Sequence, residues 1–145
     1  MLKLFFLWFF GFPVFADTIA GQWLPPTGDA IVEIIIDGAA RIRVKSTLDP
    51  QFDTHNPDRS LRGRLLADME IDSGFTMNGA DWSGETLYDP GSGKTYRGTL
   101  KLLDDGHMEL RGYIGLAIFG RSEVWTRRDL FESKIVNMLS GECAP

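Results

Sequence analysis

From Gly21 to Arg128 the chain is built of short runs in which apolar and polar residues alternate. A period of two is the side-chain period of a β-strand with one buried face. Arg41-Ile42-Arg43-Val44-Lys45 sets two apolar residues on one face and three cations on the other. Thr95 to Leu102 repeats the pattern with Tyr96, Leu100 and Leu102 directed inward, and His107 to Arg111 does so again. Between the runs stand Asp37-Gly38, Asp72-Ser73-Gly74, Pro90-Gly91-Ser92-Gly93 and Asp104-Asp105-Gly106. Gly and Asp tolerate the positive φ of tight hairpins, and Pro presets a turn's first bend. Strands are therefore expected near 20–24, 30–36, 40–46, 64–71, 82–88, 94–103, 107–113 and 121–127. Eight short strands joined mostly by hairpins predict an all-β, up-and-down barrel, because closure removes the exposed edges of an open antiparallel sheet. At that size the interior is either filled by side chains or holds one small ligand.

The pattern changes after the last strand. Asp129 followed by Glu132 reads as a capping box. Phe131, Ile135, Met138 and Leu139 then fall at helical spacing, and Gly141 suits a C-terminal stop. Residues 129–145 are expected to form a short amphipathic helix, packed on the outside of the barrel, and a tail.

Residues 1–16 read as a signal peptide: Lys3, a nearly unbroken apolar run from Leu4 to Phe15, and a small-x-small cleavage site ending at Ala16. Polar Asp17-Thr18 follows too soon for a transmembrane helix of about 20 apolar residues. The expectation is an exported protein, periplasmic or secreted, with a single barrel domain over 17–128 and no stable membrane insertion after cleavage. The formal net charge is −5, and loss of Lys3 makes the balance more acidic. Such a balance disfavours nonspecific nucleic-acid binding and simple attraction to an anionic membrane. Cys143, the single cysteine, lies in the tail and leaves no internal disulfide, so the core must hold the fold together.

Gly91-Ser92-Gly93-Lys94-Thr95 resembles the end of a phosphate-binding loop, G-x-x-x-x-G-K-[ST]. The first glycine of that motif would fall where Tyr88 stands, and strand-type alternation follows where a helix N-terminus is needed. The stretch is a hairpin turn. His55 and His107 are far apart along the chain and offer no zinc cluster, and no G-x-S-x-G nucleophile stretch occurs. Asp53, Asn56 and Asp58 supply oxygen atoms for calcium or for turn capping, without the glycine and later Glu of a helix–loop–helix site. With no legible catalytic constellation, the expectation is a protein that is not an enzyme and carries no cofactor or metal.

Two stretches carry more functional groups than a bland barrel requires. The connection from Asp53 to Leu66 holds Asp53, Asp58, Arg59, Arg62 and Arg64, which suit either ligand contact or bracing by carboxylate–guanidinium pairs. Trp82, Tyr88, Tyr96, Tyr113, Phe119 and Trp125 suit either a pocket or a filled core. The candidate ligand site combines Arg62, Arg64 and Arg111, for an anionic or polar group, with Trp82, Tyr88 and Tyr96 for an apolar part.

Gly21-Gln22-Trp23 opens the first strand and Trp125-Thr126-Arg127-Arg128 closes the last. In this the chain looks like lipocalins, where a G-x-W tryptophan is covered by an arginine from beyond the final strand; Trp23 with Arg127 or Arg128 would be that pair. "NPDRSLRGR" (56–64), "YDPGSGKTYRG" (88–98), "LRGYIG" (110–115) and "FGRSEVWTR" (119–127) resemble, in order and spacing, the bacterial domain-of-unknown-function 2147 family. The resemblance implies a small exported protein with a lipocalin-like barrel and no assigned reaction. Two features depart from it. The cysteine pair that many members carry around the second and third strands is missing from "IIIDGAARIRV", and Arg64-Leu65-Leu66 stands where many read R-P-L. The resulting expectation is an exported, non-enzymatic protein binding a small apolar or anionic ligand. The alternative is a structural or protein-interaction domain of the bacterial envelope with a filled barrel.

Overall fold

The computed structural model describes residues 18–141; the expected signal peptide and Cys143 lie outside the described residues. Eight antiparallel strands form a closed barrel in chain order: β1 (Gly21–Leu24), β2 (Ala30–Asp37), β3 (Ala39–Thr47), β4 (Glu70–Asn78), β5 (Asp81–Asp89), β6 (Lys94–Leu102), β7 (Met108–Tyr113) and β8 (Arg121–Arg127). Closure is made by β1 against β8, with Trp23 opposite Arg127 and Leu24 opposite Thr126. The connections alternate between two ends. At one end, the base, lie the β2–β3, β4–β5 and β6–β7 turns and the N-terminal approach to β1. At the other, the mouth, lie the β1–β2 turn, the long 48–69 connection, the 90–93 turn and the 114–120 loop.

The fourth strand differs from expectation. It runs from Glu70 to Asn78 rather than 64–71, and Asp72-Ser73-Gly74 lies within it. The Asp72 carboxylate explains this. It accepts bonds from Gly74 N (2.6 Å) and Thr86 Oγ1 (3.2 Å), so the turn-forming side chain is spent inside the sheet. The β3–β4 register slips on both sides of Ile42 at the same place. Chain reversal comes later, at Gly79-Ala80, between the paired residues Asn78 and Asp81. Leu65 instead bridges Phe52 and closes the long connection on itself.

Trp23, Ile34, Ile42, Phe75, Leu100 and Met108 are fully buried and fill the base half of the barrel. Phe75, inside the stretch expected as a turn and short loop, is its centre. Its ring lies flat on β5 and β6 because both are glycine beneath it. A Cβ at Gly84 would sit 2.5 Å from Phe75 Cδ2, and one at Gly98 2.9 Å from Phe75 Cζ.

At the base, Arg127 places its guanidinium carbon 4.4 Å from the Trp23 ring centroid. The same guanidinium donates to Ala20 O (3.0 Å) and Thr18 O (2.5 Å), and Trp23 Nε1 donates to Ile19 O (2.9 Å). Arg127 is therefore the residue that seals the barrel. Arg128, its alternative, turns away to Gln22 Oε1 (2.7 Å) and Glu132 Oε1 (2.8 Å).

The helix α1 (Arg128–Ser140) departs from expectation in two ways. No capping box forms: Arg127 occupies the cap position, Asp129 accepts from Leu130 N, and Glu132 is held by Arg128. Nor does α1 bury a face, although Leu130 touches the turn at Gly106. Leu130, Phe131, Ile135, Val136, Met138 and Leu139 spread over much of the circumference, too broadly for one narrow stripe to meet the barrel wall. Gly141 does end the helix, in the left-handed conformation at φ 73°.

Candidate functional site

The base half of the barrel is packed and the mouth half is not. A cavity of about 590 Å³ opens at the mouth. Its apolar wall is Ile71 of β4, Leu87 of β5, Tyr96 of β6, Leu110 of β7 and Trp125 of β8, with Tyr113 and Phe119 higher up. Strand alternation turns Tyr96, Leu110 and Trp125 inward, whereas a register slip in β5 between Gly84 and Leu87 brings Leu87 in. Polar groups enter at few points. Glu123 lines the cavity and accepts from Trp125 Nε1 (3.0 Å). Asp89 at the rim is occupied by Gly91 N (2.9 Å) and Ser92 Oγ (2.6 Å). Lys94 and Arg121, also at the rim, form no ion pair among the described residues.

Beside this mouth the long connection is latched to the β5–β6 hairpin. The fully buried Asp53 carboxylate accepts from Tyr88 Oη (2.6 Å), Asn56 Nδ2 (2.7 Å) and Arg64 Nη2 (2.9 Å). Burial pushes the Asp53 pKa up, but the bonds from Tyr88, Asn56 and Arg64 outweigh it and hold the group below its ordinary value of 3.8. Tyr88 responds in the opposite sense: burial, and then its bond to the Asp53 anion, raise it to about 12. Tyr88 thus ties the connection to the cavity: it is among the lining residues, and its hydroxyl donates to Asp53. Gly93 explains the glycine of the rejected phosphate-loop string. At φ 69° it lies under His55, whose carbonyl oxygen would be 1.9 Å from any Cβ there.

The rest of the connection caps its own turns. Asp58 N donates to Asn56 Oδ1 (2.9 Å), Ser60 N donates to Asp58 Oδ1 (2.9 Å), and Arg62 Nε donates to Asn56 O (2.8 Å). Asn56 and Asp58 thus cap turns, the role weighed against calcium ligation, while Asp53 is taken up by the three side-chain donors of the latch. Among the described residues no group of three or more His, Cys, Asp and Glu side chains is placed to hold a metal ion.

Of the six residues anticipated as a ligand site, Tyr88 and Tyr96 share the cavity. Trp82 does not join them; it packs in the core, opposite Leu100. Arg62 and Arg64 brace the long connection, none of whose described residues lines the cavity. Arg111 points to the outer face, donating to Ser122 Oγ of β8 (3.1 Å) and holding the 114–120 loop through Ala117 O (2.7 Å). The cations at the mouth are instead Lys94 and Arg121, which sequence reasoning did not single out. Lys94 was hidden in a turn string, and Arg121 begins a strand whose inward positions, Arg121, Glu123 and Trp125, mix charge with an aromatic ring.

An eight-stranded antiparallel barrel, sealed at one end by an arginine over a tryptophan and open at the other, is a lipocalin-like fold. The chain belongs to the bacterial family described as "Uncharacterized protein conserved in bacteria (DUF2147)", whose model matches residues 21–127. Its fold is similar to that of protein HP1028 from Helicobacter pylori, described as belonging to the lipocalin family. The TM-score is 0.68 at 19% sequence identity, over 80% of this chain and 88% of that one. No match is found among curated proteins.

Proposed function

We propose that the protein is an exported, non-enzymatic carrier or sensor of a small amphipathic ligand, bound tail-inward in the mouth cavity. The carrying observation is the cavity itself: about 590 Å³, walled by aromatic and aliphatic side chains, with Asp89 and Lys94 at its rim and Arg121 and Glu123 on β8 as its charged groups. That size and that division of chemistry suit one small molecule. Leu87, Tyr96, Leu110 and Trp125 would take the apolar part, and Lys94 and Arg121 would pair an anionic or polar head. The lipocalin-like fold supports small-ligand binding as a general role. A purely structural domain with a solid barrel lacks support at the mouth, where side chains leave the interior open.

Export is part of the proposal and is supported by the leader-like stretch at residues 1–16. Cell fractionation with intact-mass measurement should find the chain outside the cytoplasm, beginning at Asp17; a cytoplasmic chain retaining Met1 contradicts export. Ligand binding is tested by native mass spectrometry of the freshly purified protein and by thermal-shift screening with medium- and long-chain carboxylates. A bound mass, or a saturable rise in Tm that Leu110→Trp abolishes, is expected. Absence of both, or a rise unaffected by filling the cavity, contradicts the reading.

A further inference from the structure

The loop joining β7 to β8 carries Ile114, Leu116, Ile118 and Phe119, which are 57%, 68%, 77% and 77% exposed. Scattered apolar side chains on a surface need no explanation, but four in one six-residue stretch mark an interaction site. The loop is held in this outward form. Residues 117–119 make a 3-10 turn, with Phe119 N on Leu116 O (3.1 Å) and Gly120 N on Ala117 O (3.1 Å), and Arg111 anchors the Ala117 carbonyl from below. The apolar surface is also continuous with the cavity, since Ile114 and Phe119 line both.

Charge around the loop runs against that of the molecule. The chain is acidic, yet no Asp or Glu occurs between Glu109 and Glu123, and Arg111 and Arg121 flank the apolar residues. Lys94 stands on the same rim, where the carboxylate of Asp89 is taken up by Gly91 N and Ser92 Oγ, and Glu123 within the cavity accepts from Trp125 Nε1. An apolar tip between cations is the arrangement that seats in the headgroup–acyl boundary of a bilayer and meets anionic headgroups. A folded protein partner fits less well. A stable protein interface buries about 800 Å² on each side, more than one short projecting loop presents, whereas a bilayer needs only a few side chains to enter it.

We infer that the 114–120 loop docks the mouth of the barrel onto an anionic lipid bilayer, so that the cavity opens at the membrane surface. Such docking is peripheral; among the described residues no helix is long and apolar enough to cross a membrane. It does not rest on the ligand-binding reading, because a barrel that docks and takes up nothing leaves it intact.

The test uses the full chain carrying Cys143→Ser, with a nitrobenzoxadiazole label at Ile118→Cys on the loop or at Asp37→Cys at the base. Vesicles of phosphatidylglycerol and phosphatidylethanolamine are compared with vesicles of phosphatidylcholine. The local label separates docking through this loop from attachment through any other apolar segment. The label at position 118 should shift to the blue with anionic vesicles, less with phosphatidylcholine and less at high salt, while the label at 37 stays in water. In flotation, an Ile118→Ser/Phe119→Ser double variant should lose about tenfold in loop-dependent partitioning, and its thermal melting should be unchanged because both side chains are exposed. A label at 118 that remains in water, or a double variant that floats like the parent, overturns the inference. Self-association abolished by the same double variant, without lipid partitioning, overturns it in favour of a second copy as occupant.

Discussion

Asp53 is a buried carboxylate kept ionised by three donors, and its titration sets how the long connection responds to pH. Its folded pKa lies below 3.8. The stabilisation it brings is therefore present above that value and lost as pH falls through the folded pKa. Tyr88 has the opposite sign: raised from 10.0 to about 12, it contributes fully below 10.0 and is lost as pH rises through about 12. Urea midpoints should fall at both extremes, and Asp53→Asn, less stable at neutral pH, should show a flatter acid limb. Tyr88→Phe removes one donor from a buried anion and should cost about 1–3 kcal/mol in urea denaturation. At the base, Arg127→Ala strips the Trp23 ring of its cover and two carbonyls of their donor. A loss of about 2 kcal/mol or more is expected, with Arg128→Ala nearly neutral; equal effects would mean that the seal does not lie at Arg127.

Elements followed from the sequence where alternation and turn chemistry agree. Strands β5 to β8 lie within a residue of their expected bounds because Pro90 to Gly93 and Asp104 to Gly106 do act as hairpin turns between alternating runs. β4 was misplaced because Asp72-Ser73-Gly74 has turn composition, yet its carboxylate bonds within the sheet. Local composition carries no sign of that choice, which a partner fourteen residues away, Thr86, helps to decide. The helix was legible in its extent and its glycine stop but not in its packing, since α1 has apolar residues without a single stripe. The strand glycines give a further prediction. Gly84→Ala and Gly98→Ala drive a methyl group into the Phe75 ring and should each cost about 1–3 kcal/mol by overpacking, read as lowered urea midpoints. Gly112→Ala, whose nearest neighbour is 3.7 Å away, should be tolerated.

At the scale of the whole molecule, closure was legible and occupancy of the interior was not. Alternation states which side chains face inward, but whether they meet across the axis depends on their sizes at each level and on register. Phe75, Leu100 and Met108 meet and fill the base. Tyr96, Leu110 and Trp125 leave space at the mouth, and Leu87 joins them through the β5 slip that no sequence signal announces. The anticipated arginine site failed to assemble for the same reason. Arg62, Arg64 and Arg111 are near the mouth in the chain's topology, but each is spent on holding a loop. The central claim, an open cavity that takes a small amphipathic molecule, is tested most directly by NMR titration of the 15N-labelled protein with decanoate. Saturable shifts should centre on the amides of Leu87, Tyr96, Leu110 and Gly112 and on the Trp125 indole, leaving the Trp23 indole unmoved. Shifts that never saturate, or that map to the outer faces and α1 while the Trp125 indole stays still, would contradict it.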